Sequence, residues 1–409
     1  MSLKKSNLKF AIAITVLLVI AGALTVLALQ KAYSSADREY EKIAWQLIGE
    51  VKPNLERVRG LSLTKKFGLE IVTEDWVLKK WGTEYYQSIS RYVEIEERIY
   101  KSLFLIPANY SLQEIYSKVS GFAAAYDGTN LLIVKEYFNP KAPSAREIIA
   151  HELFHVIQSE HFKAPETRTF DEKQAWATLI EGDSGLTVKA YVETTRPQPL
   201  VRNGLIATPA SLLLAREGLD PIYQLRGFPY DYGDKFVAEL YRRGGWELVN
   251  NAYLKPPTTT EQVMNVSKYL SGEGGMEVPP LALKSPGWTL ERTDTMGEHF
   301  IFVTLRNHIS ESQARLASEG WGGDKLTYYE KGEDRLLIWR IDWDSVKDAS
   351  EFYAASLELL GRVNALTFQG ADGLPLWKVE WGYIAISLKG SSTIVICSTD
   401  GEAIKQVSP

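Results

Sequence analysis

Cysteine is nearly missing from this chain. Cys397 is the only one in 409 residues, which excludes an intramolecular disulfide and argues against a cysteine-built zinc site or a thiol nucleophile. Its place in the apolar run "STIVICS" marks a small buried side chain. Histidine is scarce too, with five in the whole chain. A basic excess is also absent: 46 Lys and Arg against 51 Asp and Glu give a net charge of −5, so no strongly basic face is on offer to nucleic acid. No low-complexity tract and no repeat of fixed period occurs. What remains is an ordinary composition, 45% hydrophobic and 24% charged, in a chain long enough for two or three domains.

Long apolar runs are missing after residue 30, but one precedes it. Phe10–Leu29, "FAIAITVLLVIAGALTVLAL", holds 20 residues without a charge, about 30 Å of helix and therefore a bilayer core's thickness. Lys4, Lys5 and Lys9 precede it. The positive-inside rule then predicts a cytoplasmic tail over 1–9, a single-pass membrane anchor over 10–29 and an extracytoplasmic remainder. Cleavage near Ala21-Gly22-Ala23 or Ala28 is the alternative.

The rest of the chain divides by pattern. Residues 30–114 read as a helical region, with Pro53 expected to bend or break its first helix. "GFAAAYDGTNLLIVKEY", Gly121 to Tyr137, reads as a β-hairpin turning at Asp127-Gly128. After Pro140 and Pro143, Ser144 and Glu147 have capping-box spacing and open the helix "SAREIIAHELFHVIQSEHF". A second helix is expected from about Asp171 to Gly182, and a third from about Asp234 to Arg243, ending at Gly244-Gly245. The Gly- and Pro-rich stretch within 271–290 reads as a linker, and 291–409 as an α+β domain. There "GWGGD", Gly320 to Asp324, lacks the Lys-Ser/Thr of a phosphate loop and reads as a tight turn. Trp339, Ile341 and Trp343 alternate as one sheet face does, and His299 and His308 read as structural.

The chemistry sits in "HELFHVIQSEH". Residues four apart on a helix share a face, so His151 and His155 can aim ring nitrogens at one ion about 2.0–2.1 Å away. Glu152 lies beside them, free to act on a water as a base. His161 follows His155 by six residues, about 120° off around a continuing helix, and cannot join them. Gln158 favours that continuation, where glycine would allow a sharp turn. Glu181, in "AWATLIEGDSG", is the favoured third ligand. It lies on the second helix, where Ala177 and Gly182 leave room for close approach. Glu172 and Asp183 are the competitors, and Asp183 suits a hydrogen bond to a ligating imidazole better. Tyr230 and Tyr232, in "FPYDYGDKF", are candidate donors to a developing oxyanion. The Ala123–Tyr126 strand is a candidate edge for pairing with an extended substrate.

Five stretches occur in an order that resembles one family: "HELFHVIQSEHF", "TLIEGDSG", "FPYDYGDKFVAELYRRGGW", "PPTTTEQVM…KYL" and "GWGGDKLTYY…WRIDWDSVKDASEF". The chain is similar over about residues 115–360 to a largely uncharacterised group of exported, gluzincin-like zinc metalloproteases of archaea and bacteria. It departs from that pattern at Ser159-Glu160, where Asp-Gln is usual, at Ser184, where alanine is usual, and at Asn265-Val266, where His-Pro is usual. The resemblance implies Zn2+ held by His151, His155 and Glu181, with Glu152 as general base.

The expected fold class is therefore α+β. It comprises an N-terminal transmembrane helix, a zincin-like catalytic domain over 115–270 made of a small sheet and active-site helices, and the C-terminal α+β domain. The expected function is hydrolysis of peptides or proteins at the membrane's outer face. The alternative is a catalytically silent zincin-like binding or scaffold protein, against which the intact Glu152 argues. Oligomeric state is left open.

Overall fold

The computed structural model describes residues 37–117, 122–195, 221–369 and 375–408. Among the described residues no helix is long and apolar enough to cross a membrane, and Phe10–Leu29 lies outside them. The transmembrane helix is therefore dropped from the fold class, which stands as a mixed α+β architecture with a large antiparallel sheet.

Helix α1 covers residues 37–59 and buries Ala44, Leu47, Ile48, Val51 and Leu55 at three- and four-residue steps. Pro53 does not break it. The proline and Gly49, whose carbonyl loses its partner, both lie on the exposed face, where water can satisfy that oxygen. Strands β1 (Gly68–Val72), β2 (Ala124–Tyr126) and β3 (Asn130–Val134) form a small sheet in the order β1-β3-β2, with β1 parallel and β2 antiparallel to β3. The β2–β3 turn is made where expected. Gly128 takes a φ of 97°, and the Asp127 carboxylate accepts the amides of Thr129 and Asn130. Helix α3 (Ala145–His161) packs against this sheet, so that Ala150, Leu153, Phe154 and Ile157 share a core with α1 and β3. Its start at Ala145 matches the expectation, but the Ser144 side chain caps nothing, because Ser144 already has helical dihedrals.

Helix α4 (Phe170–Thr195) runs far beyond Gly182, and helix α5 (Pro221–Leu254) begins well before Asp234. Gly244 and Gly245 do interrupt α5, with Gly245 at a φ of 60°, yet the chain resumes the helix to Leu254. Where α4 crosses α5 the backbones nearly touch. A Cβ on Gly233 would lie 2.8 Å from the Gly182 nitrogen, and one on Gly182 would collide with the Gly233 carbonyl. Gly182 thus serves the approach of α5, whereas the sequence suggested it served α3.

The C-terminal half is built on seven antiparallel strands: β4 (Thr289–Asp294), β5 (Trp321–Lys331), β6 (Asp334–Trp343), β7 (Leu366–Gln369), β8 (Pro375–Val379), β9 (Gly382–Lys389) and β10 (Ser392–Ser398). Their order is β4-β5-β6-β10-β9-β8-β7. Trp339, Ile341 and Trp343 point into a core closed by α6 (Gly297–Arg306) and α7 (Val346–Arg362). "GWGGD" is a turn at Gly320, with a φ of 75°, leading straight into β5. Its glycines admit the expected linker, whose Met276 amide donates to the Gly322 carbonyl at 2.6 Å. The region 30–114 is not one unit. Residue 44 and its neighbours pack beside α3, while Ile95, Ile99 and Tyr100 of α2 (Ser90–Ser102) join the C-terminal core.

Candidate metal centre

Three elements converge beside the small sheet. Helix α3 carries His151, Glu152 and His155, α4 carries Glu181, and α5 carries Tyr230. His151 Nε2 lies 3.1 Å from His155 Nε2 and 3.2 Å from Glu181 Oε2, and His155 Nε2 lies 3.8 Å from the same oxygen. Four ligands placed tetrahedrally about 2.0–2.1 Å from a zinc ion stand about 3.3–3.4 Å apart. The three atoms therefore have the spacing of one face of such a tetrahedron, and they form the group among the described residues able to hold a metal ion. Among the described residues, buried Glu181 Oε2 has no partner apart from the two imidazoles that face it, which fits an oxygen that shares an ion with them. Burial alone would raise the Glu181 carboxyl, but the two imidazoles outweigh it and hold the group below its usual range.

The orientation of His155 is fixed by a chain of hydrogen bonds. The Gln158 amide nitrogen donates to the Ile180 carbonyl and the Tyr253 hydroxyl, both at 2.9 Å, so its oxygen faces the other way. That oxygen lies 2.7 Å from His155 Nδ1 and can only accept. Nδ1 must carry a proton, so Nε2, which faces Glu181, is the nitrogen left available to an ion. The Tyr253 hydroxyl in turn donates to Asp183, which accepts two further bonds from Arg59 at 2.9 and 3.0 Å. The sequence reading gave Asp183 the job of holding an imidazole. The structure gives that contact to Gln158, and Asp183 anchors the chain behind it. The break at Gly244-Gly245 makes this possible, because the resumed part of α5 delivers Asn250 to Arg59 and Tyr253 to Asp183.

Glu152 is 7% exposed and does not belong to the three-residue group. Its carboxylate accepts the backbone amide of Tyr126, on the edge of β2 that no strand among the described residues pairs with. Burial, with a smaller push from Glu181, lifts its pKa to about 8 against the pull of His155. The Tyr230 hydroxyl lies 3.4 Å from Glu181 Oε1. Tyr232 is not brought to the centre. It packs on Phe228 and His299, with ring centroids 4.7 and 5.8 Å away. His161 also lies elsewhere, with Nε2 2.6 Å from the Ser62 carbonyl. Asn265 caps a short helix by accepting the Ser267 amide, so the residue standing where histidine is usual has a local structural job.

Arg59, Gln158, Asn250 and Tyr253 were not singled out as site-supporting residues by the sequence. Only Gln158 left a signal, as a polar residue on the inner face of an otherwise apolar helix stripe. A family model for a domain of unknown function, DUF8575, matches residues 288–408, which spans the seven-stranded sheet and excludes the metal centre. No curated protein and no solved structure matches the chain.

Proposed function

We propose that this chain is a zinc-dependent peptidase of the gluzincin type, with His151, His155 and Glu181 as the ligands. The observation that carries the reading is the convergence of two imidazole nitrogens on a buried carboxylate oxygen that has no other partner. Bound zinc supplies Lewis acidity toward a carbonyl oxygen and a water. The chain's own groups do the rest. Glu152, held beside the centre by the Tyr126 backbone amide, takes a proton from the attacking water and returns it to the leaving amine. The free edge of β2 lies beside Glu152 and suits an extended peptide, which would add to the sheet as a further strand. Tyr230 stands within reach of Glu181 and keeps its proton, because burial and the neighbouring carboxylates push its pKa well up. It is therefore the tyrosine suited to donate to a developing oxyanion.

The test is metal content joined to peptide turnover. The purified chain is expected to carry one zinc per molecule by mass spectrometry and to cleave members of a mixed peptide library. Glu181→Ala should release the zinc, and His161→Ala should retain it; the opposite pattern would refute the ligand set. Zinc without turnover on any peptide would support a binding protein on a zincin scaffold.

Gln158 makes a separate prediction about affinity. Gln158→Leu keeps the helix and removes the acceptor for His155 Nδ1–H, so chelator competition should show zinc bound about 10–100-fold more weakly. An unchanged affinity would mean that the imidazole needs no such partner.

A further inference from the structure

The C-terminal half contains a cleft and a chamber that the metal centre does not use. The cleft has a volume of about 200 Å³ and is lined by Arg98, Lys101, Arg335 and Trp381 with Ser398 and Thr399. No carboxylate is part of that lining. Two of its cations are already engaged: Arg98 with Glu94 and Glu330, and Lys101 with Glu97 at 2.6 Å. Arg335 differs. Its backbone is held by Thr399 and Ser398, but its guanidinium makes no hydrogen bond or ion pair among the described residues. Glu330, its cross-strand neighbour, is taken by Arg91 and Arg98.

Ser102 and Cys397 line both this cleft and an adjoining apolar chamber of about 40 Å³, walled by Phe104, Leu305, Phe352, Leu359 and Ile386 among others. One water needs about 10–15 Å³ on this measure, so the chamber has room for roughly three or four heavy atoms. Its wall includes a strained residue: Phe104 has a φ of 60°, a left-handed backbone region that disfavours non-glycine residues and clusters at functional sites. The Phe104 ring lies 6.0 Å from Trp381, which ties the chamber wall to the cleft wall.

We propose that cleft and chamber form one binding site for a small organic carboxylate carrying a compact branched apolar group. A single unpaired guanidinium calls for a single negative charge, and its planar fork matches a carboxylate with two parallel hydrogen bonds. The chamber takes the apolar group, and Trp381 covers the junction. Phosphate, with no apolar part, leaves the chamber empty. Two sources share this chemistry: a free branched acid, and the C-terminal residue of a peptide. The proposal does not depend on the zinc reading.

The experiment is calorimetric titration of the full chain with 4-methylpentanoate, N-acetyl-leucine, their amides, acetate and inorganic phosphate. At least one of the two branched carboxylates is expected to bind tenfold or more tightly than its amide, and more tightly than acetate or phosphate. Preference for N-acetyl-leucine assigns the site to peptide C-termini, and preference for 4-methylpentanoate to free acids. Arg335→Ala should reduce that binding at least tenfold; among the described residues its side chain has no hydrogen bond or ion pair to lose, so the fold should be kept. An amide that binds as well as its acid would overturn the proposal. So would phosphate binding as tightly as the branched acids, or binding that survives Arg335→Ala, since the latter belongs at the metal centre.

Discussion

Glu152→Gln is expected to leave zinc content unchanged and to lower peptide hydrolysis by about 10²–10⁴-fold, the range for losing a positioned general base. The substitution is close to isosteric, and the amide oxygen can still accept the Tyr126 backbone amide that Glu152 accepts. Glu152 does not contribute one of the three converging ligand atoms, so metal affinity should hold. Glutamine cannot take a proton from water, so the loss should fall on kcat with KM nearly unchanged. Parallel zinc analysis and steady-state kinetics on wild type and variant read both quantities. A variant that loses its zinc would make Glu152 a ligand, and a variant that keeps full turnover would remove it from the mechanism.

The helix that carries His151, Glu152 and His155 is legible because its information is local. His151, Glu152 and His155 need only helical spacing to be placed, and the sequence supplies that spacing along with Gln158, which continues the turn. The second helix was also legible as an element. Its true length was not, since Asp183, Ser184 and Gly185 favour turns locally and are held helical only by burial against α3 and α5. Tyr230 and Tyr232 show a different limit. The sequence predicts a helix only from about Asp234, after "FPYDY", so both tyrosines are equally placed on that expectation. Once α5 includes them, residues two apart point about 200° from each other, and only one can face Glu181. Tyr230 takes that place, and Tyr232 turns to Phe228 and His299.

The partners of Asp183 lay beyond sequence reasoning for a third reason. Arg59 is 124 positions away and Tyr253 is 70, and neither carries a periodic or motif signal that names its partner. What the sequence offered was a charged residue at the end of an amphipathic helix, where exposure is the ordinary outcome. The fold reverses that outcome by surrounding Arg59 with aromatic rings. Trp246, Phe154 and Phe162 lie 4.4, 5.7 and 5.9 Å from its guanidinium carbon.

Those surroundings set a large expected stability effect. The Arg59 and Asp183 side chains are both 0% exposed, so neither charge is relieved by water when its partner goes. Arg59→Met fills the space but leaves the Asp183 carboxylate buried among Tyr253, Thr187 and apolar neighbours. Removing one member of a buried ion pair costs about 3–5 kcal/mol, and removing both can return much of that loss. Urea titration should therefore show Arg59→Met strongly destabilised and the double variant Arg59→Met/Asp183→Asn partly restored. The same variant reports on the centre, because Asp183 holds Tyr253, Tyr253 holds Gln158, and Gln158 holds His155. Where Arg59→Met still folds, chelator competition should find its zinc affinity lowered, as in Gln158→Leu but to a smaller extent, since the amide keeps its bond to the Ile180 carbonyl. A destabilised variant with unchanged affinity would confine the Arg59 network to folding and leave Gln158 alone in orienting the ligand.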